Sequence, residues 1–176
     1  SSATITKLRN HSLNLYKELE KETGLSTGLK QNGSLTVATT KGRLDELKRQ
    51  VNTAQLFNID AREVSNDEIS EIYPVINTED IIGGVFIPKD GQADPVGVTN
   101  VLAKGAKQNG AKIIENCLVK KILTKNNKIE GVETNQGKIE CEYIVLASGM
   151  WSRQIAKQID VSIPLYPDEH FYVLSE

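Results

Sequence analysis

The residues best suited to chemistry lie late in the chain, in Val145-Leu146-Ala147-Ser148-Gly149-Met150-Trp151-Ser152. An apolar run gives way there to small residues and then to a helical pattern, which reads as a strand-to-helix turn. In open parallel sheets, ligands bind outside the carboxyl ends of the strands. Ala147, Ser148 and Gly149 are small enough for their backbone to meet a ligand closely, so the turn is a candidate cofactor contact. The competing expectation is a plain tight connection with Trp151 as a core anchor. Spacing alone leaves both open.

His170 and Tyr172 form a second candidate pair. Two residues apart in a β-type run, they point to the same face of a strand. By residue type alone they fit an edge strand half exposed to solvent. His11 sits one position off an apolar helical stripe and is expected on the surface. Cys117 and Cys141 have neither CxxC spacing nor neighbouring histidines, so no metal site is expected. Two free thiols in a reducing compartment are the expectation.

The elements that must position these residues follow from periodicity. Ile5, Leu8, Ser12, Leu15 and Leu19 recur at helical spacing, and Gly24 can take the left-handed conformation that ends the helix. Gly33 to Thr39 alternates as a strand. Leu44, Leu47, Val51 and Ala54 mark a second helix with Thr40 as N-cap. Ser65-Asn66-Asp67-Glu68 is a capping box opening a short helix through Ile69, Ile72 and Tyr73, stopped by Pro74. Ile81 to Ile87 is a β-type run whose Gly83-Gly84 implies a bulge or a close backbone approach. Asp94-Pro95 starts a helix that buries Val98, Val101, Leu102 and Gly105 and ends at Gly110. Its small residues Ala103, Gly105 and Ala106 are expected to lie against a sheet. Strands are then expected near 112–116, 118–124, 129–134 and 138–147, turning at Asn126-Asn127 and Asn135-Gln136-Gly137. The last of them, Tyr143 to Ala147, is apolar on both faces like a central parallel strand. A helix with Ile155 and Ile159 inward follows it.

The 176 residues are 39% hydrophobic and 25% charged with a net charge of −2, the composition of an ordinary globular protein. Positive residues are scattered, which excludes the basic footprint of a nucleic-acid binder. No apolar run approaches the roughly 20 residues that span a bilayer, so no membrane insertion is expected. The chain opens without Met and ends on Phe171-Tyr172-Val173-Leu174-Ser175-Glu176, a strand in progress, from which a piece of a longer protein is expected. The fold class is α/β (α+β mixed).

Four blocks in order carry a family resemblance. The Ala-x-Gly-x-Trp-Ser turn at Ala147 to Ser152 resembles the FAD-dependent oxidoreductases of the D-amino-acid oxidase superfamily. Gly28 to Thr40 resembles the first substrate-domain strand of dimethylglycine and sarcosine dehydrogenases. Asp90-Gly91-Gln92-Ala93-Asp94-Pro95 resembles their Asp-Gly-x-x-Asp-Pro segment. Pro164-Leu165 through His170-Phe171-Tyr172-Val173 resembles their Pro-Leu…His-x-Tyr-Val strand. This chain has Ala-Ser-Gly-Met-Trp where Ala-Ala-Gly-Phe-Trp is commoner, a change that keeps the character of the side chains.

The resemblance implies part of a glutathione-reductase-like FAD-binding domain interleaved with part of a β-sheet substrate domain. Residues 1–24 and 95–162 would belong to the FAD domain, and 25–94 and 163–176 to the substrate domain. It implies that the main chain of Val119 faces the adenine and that Trp151 contacts the flavin. It places His170 and Tyr172 near the methylated amine, Tyr172 to orient a carboxylate or amine and His170 to modulate the amine proton. The implied reaction passes hydride from an N-methyl amino acid such as dimethylglycine or sarcosine to flavin, and the carbon leaves as formaldehyde or passes to tetrahydrofolate. The electron acceptor is left open, and the implied compartment is a bacterial cytoplasm or the mitochondrial matrix rather than the secretory route. Two other readings stay open: a non-catalytic regulatory or partner-binding relative, and an enzyme for another amino acid or for glycerol phosphate. The chain has no Gly-x-Gly-x-x-Gly at a strand-helix junction, and Gly28 to Gly33 does not fit it. Its 176 residues are therefore expected to be inactive alone and to hold FAD poorly.

Overall fold

Leu35 and Val37 alternate with Thr36 and Ala38, and a period of two sends the two sets to opposite faces of a strand. In the computed structural model, which describes residues 3–173, these residues form β1 (Ser34–Ala38). It pairs antiparallel with β3 (Gly83–Ile87), whose other edge takes β2 (Arg62–Val64). One face packs Ala38 and Val85 against Leu47 and Val51 of α2 (Lys41–Gln55). The other packs Leu35, Val37 and Phe86 with Val64 against Ile69 of α3 (Asn66–Ile72). The sheet is thus covered on both sides, which is why β3 reads as an apolar run with two glycines. The β1–β3 register is unbroken, and a Cβ on Gly84 would stand 2.7 Å from the Thr36 carbonyl. Of the two expectations for Gly83-Gly84, close backbone approach holds.

The local start signals are met. The Thr40 hydroxyl accepts from the Arg43 amide, and Ser65 and Glu68 form the reciprocal capping box. The Ser65 amide, followed by the Arg62 guanidinium, holds the Glu68 carboxyl below its ordinary value. Asp94 caps α4 (Pro95–Gln108) by accepting from the Val96 and Gly97 amides. Val101 and Gly105 are its buried residues, while Val98 is half-buried and Leu102 is exposed.

α1 (Ala3–Thr23) packs on α4. A Cβ on Gly105 would come within 2.8 Å of Leu19 Cδ2, so the small residues of α4 receive a helix and not the expected sheet. Lys104 Nζ donates to the Thr23 carbonyl at 2.6 Å, placing a cation at the negative end of α1. Leu19 is buried as its periodicity requires, but Ile5 and Leu8, on the same stripe, are exposed. His11 is exposed as expected.

Residues up to Ile113 form one compact unit and those from Ile114 a second. The second is built on a meander of β4 (Val119–Lys125), β5 (Lys128–Thr134) and β6 (Gly137–Glu140), paired antiparallel in that order. Among the described residues both sheets are three-stranded and antiparallel. Together they make a mixed α/β fold.

Among the described residues two expected strands are not found and a third is cut short. Residues 112–116 are irregular and end in a turn at Glu115-Asn116. β6 stops at Glu140, and Tyr143 to Ala147 joins no ladder, with Tyr143 86% and Val145 88% exposed. Residues 161–173 are irregular too, and the remainder of that expected strand, Leu174 to Glu176, lies outside the described residues. The physical reason is common to the last two. A strand is completed by neighbouring backbone, and these β-forming runs pair with none of the described strands.

Candidate functional site

Val119 opens β4 opposite Thr134 and is half-buried. The β4–β5 register then shifts between Val119 and Lys121, so the ladder alone does not set this end of the strand. Side-chain amides do. Beside the main-chain bond from the Asn135 N–H to the Leu118 carbonyl at 3.0 Å, the Leu118 amide donates to Asn135 Oδ1 at 2.8 Å. Asn135 Nδ2 donates to the Asn116 carbonyl at 3.1 Å. Gln136 Nε2 donates to the carbonyls of Glu115 at 3.3 Å and Asn116 at 3.1 Å. These bonds hold Asn116 in the left-handed region at φ 55°. They replace the ladder that a strand over 112–116 would have needed.

The strand-to-helix turn lies in the same unit. Ser148 leads into a single 3-10 turn, Gly149–Trp151, and then α5 (Ser152–Lys157). Gly149 has φ 55°, a conformation that costs an L side chain but not glycine. A Cβ built there meets nothing within 4 Å, so the turn presents bare backbone to open space. The hydroxyls of Ser148 and Ser152 stand 2.9 Å apart and tie the turn to a buried position on α5. The Trp151 amide donates to the Ser148 carbonyl at 3.2 Å. Trp151 is 60% exposed, which overturns the core-anchor expectation for it. Ser152 and Ala156 are the buried residues of α5, with Ile155 and Ile159 half-buried.

α5 packs on β4, and Gln158 Nε2 donates to the Lys120 carbonyl at 3.1 Å. The unit therefore brings Ala147, Ser148, Gly149 and Trp151 into one turn and ties the helix that follows to the residue beside Val119. His170 and Tyr172 lie in the irregular segment, both exposed, with no hydrogen bond among the described residues. The strand geometry that would have aimed them at one face is not present. Cys117 and Cys141 are free.

Sequence reasoning missed Asn135, Gln136, Gln158 and Ser152. Asn135-Gln136-Gly137 registers only as a turn, because its side chains act on backbone about 20 residues away. In the first unit a groove of about 1140 Å³ runs beside α1, lined by residues including Tyr16, Phe57, Ile87 and Gly91. None of the candidate residues lines it.

Comparison with known proteins is consistent with this architecture. The chain is 36% identical over 176 residues to the mitochondrial pyruvate dehydrogenase phosphatase regulatory subunit of Mus musculus, covering 99% of the chain and 20% of that protein. It is 36% identical over 165 residues to the mitochondrial sarcosine dehydrogenase of Homo sapiens, covering 91% and 18%. It is 36% identical over 174 residues to a 4-methylaminobutanoate oxidase (formaldehyde-forming) of Paenarthrobacter nicotinovorans, covering 99% and 21%. The chain thus spans about a fifth of the length of these relatives. Among solved structures it superposes on the L-proline dehydrogenase of P. horikoshii with a TM-score of 0.81 at 32% identity, covering 88% of this chain and 41% of that one. Residues 2–176 match the family described as FAD dependent oxidoreductase, and the chain belongs to that family.

Proposed function

We propose that this chain supplies one wall of the cofactor site of an oxidoreductase that uses FAD to oxidise an N-methyl amino acid. The observation that carries the reading is the Gly149 turn, left-handed, open where a side chain would stand, and followed by an exposed indole. Bare backbone and an aromatic face suit the close approach of a planar cofactor. Val119, in the same unit, offers main chain to an adenine edge. Ala147, Ser148, Gly149 and Trp151 would hold the flavin side. Substrate choice is supported by two relatives whose names specify N-methyl amino acids, sarcosine and 4-methylaminobutanoate.

FAD, when bound, would supply the hydride acceptor, and the oxidised methyl carbon would leave as formaldehyde, the product named for the bacterial relative. This chain's residues would position and exclude. Trp151 would shield the bound flavin from water, and the Ser148–Ser152 hydroxyl pair would hold the turn against α5. Tyr172 is assigned to orient the substrate carboxylate or amine, and His170 to hold or release the amine proton. The four-segment division at residues 24/25, 94/95 and 162/163 belongs to the same proposal.

A second reading is favoured by one observation: a relative of equal identity is a regulatory subunit. In that case the fold serves a partner and the turn is inherited without catalysis. The full-length protein decides between them. A yellow protein that releases formaldehyde from sarcosine, dimethylglycine or 4-methylaminobutanoate supports the enzyme. A protein with bound flavin but no turnover on these, on proline or on glycerol phosphate supports the regulatory reading.

A further inference from the structure

We propose that Asn135 is a positioning residue for the adenine half of the cofactor, acting through the main chain of Val119. The inference rests on the role assigned to Val119 above. Asn135 engages both backbone groups of Leu118, the residue immediately before Val119: its main-chain N–H donates to the carbonyl, and its side-chain Oδ1 accepts from the amide. Its Nδ2 reaches back to Asn116 and fixes the left-handed turn through which the chain enters β4. One side chain thus spans both sides of the entry.

The strand needs this support because of where its ladder fails. The register shifts by one residue between Val119 and Lys121, so the regular ladder further along β4 is interrupted before it reaches Val119. Within the irregularity itself, Gln158 at the end of α5 holds the Lys120 carbonyl. Val119 is therefore bracketed by two side-chain amides from β5's turn and from the helix that follows Gly149. A ligand that reads a backbone amide and carbonyl gains affinity from their being held in advance, since no ordering remains to be done on binding. Asn135 provides that preorganisation on the N-terminal side.

The test uses apoprotein of the full-length chain, produced in riboflavin-deficient cells. ADP and riboflavin are titrated separately, and Val119 amide exchange is followed with and without ADP. In the wild type, ADP slows exchange at Val119. Asn135→Leu weakens ADP by about fivefold or more, the loss expected from hydrogen bonds of ordinary strength. It leaves riboflavin affinity unchanged. Asn135→Asp, which keeps the acceptor for Leu118 and loses the donor to Asn116, falls between them. If Asn135→Leu does not fold, the Asp variant carries the same comparison. Unchanged ADP affinity with Val119 protected in the wild type overturns the role of Asn135. Equal weakening of ADP and riboflavin, together with a lower melting temperature, reduces Asn135 to a fold residue and also overturns it. No ADP protection at Val119 in the wild type removes the assignment of Val119 itself.

Discussion

Glu20 Oε1 accepts from both the hydroxyl and the amide of Thr27, each at 2.6 Å. Thr27 is fully buried, and its carbonyl takes the Asp94 amide at the start of α4. The clasp joins the end of α1 to the loop that seats α4. The hydroxyl first, and then the amide of Thr27, hold the Glu20 carboxyl below its ordinary value of 4.5. Because the unfolded chain takes up this proton before the folded one, the clasp contributes fully above the ordinary carboxylate range. Its contribution is lost as pH falls through 4.5 toward the depressed value. Urea melts from neutral pH down to the acid range are expected to show stability declining only at the acid end. Glu20→Gln is expected to flatten that decline, and an unchanged pH dependence would remove the clasp from the account.

Leu47 is almost wholly buried between α2 and the sheet. Leu47→Ala is expected to cost about 3 kcal/mol, from lost burial plus the cavity left behind. Equilibrium urea denaturation measures it, and a loss below about 1 kcal/mol would mean that α2 closes onto the sheet easily.

Two glycine substitutions should move stability in opposite directions. Gly91 lies beside Lys30 in a short ribbon where the Lys30 and Gln92 backbones bond reciprocally, and a Cβ on Gly91 would overlap the Lys30 carbonyl. Gly91→Ala is expected to destabilise by about 1–3 kcal/mol, since backbone rather than a flexible side chain must yield. Gly42, in the first turn of α2, has nothing within 4 Å of its Cβ position. Gly42→Ala is expected to stabilise by about 0.5 kcal/mol, because fewer unfolded conformations are lost on folding. Thermal melts of the two variants side by side check both signs.

Trp151→Ala in the full-length protein is expected to lower flavin occupancy or shift the flavin spectrum. With Trp151 60% exposed, the melting temperature of the apoprotein should barely move. A variant with normal flavin properties and a markedly lower melting temperature would return Trp151 to a purely structural role.

The 176-residue chain itself is expected to purify colourless and to stay so after incubation with FAD. It contains no Gly-rich phosphate cradle, which supplies much of a dinucleotide's binding through amides at a helix N-terminus. Flavin absorbance after gel filtration is the measurement, and a stoichiometric yellow complex would contradict the expectation.

Much of the fold was legible where one short stretch contains both sides of an interaction. Thr40 caps Arg43, Ser65 and Glu68 cap each other, and Asp94 caps Gly97, all within three residues. The alternation of Leu35 and Val37 likewise sorted itself, because a strand's faces follow from its own period. The Ala147–Trp151 turn was legible as a candidate for the same reason, and so was the resemblance carried by blocks in order along the chain.

The rest depended on partners distant in sequence. Residues 112–116 have the composition of a strand, yet the Asn135 and Gln136 side chains bind their backbone and a turn forms instead. Gly105 was read as a seat for a sheet, and Leu19 occupies it. Tyr143 to Ala147 and the segment carrying His170 and Tyr172 have β-forming residues but pair with no described strand. Residue type and spacing by themselves determined the helix starts, the two-faced strand and the free cysteines as an expectation, and the four blocks in order carried the family resemblance. Tertiary structure alone decided that Trp151 stands in solvent, that Gly149 opens onto empty space, and that Asn135 holds the entry to Val119. Each of these turns on which atoms meet across the fold, and neither periodicity nor composition carries that distance.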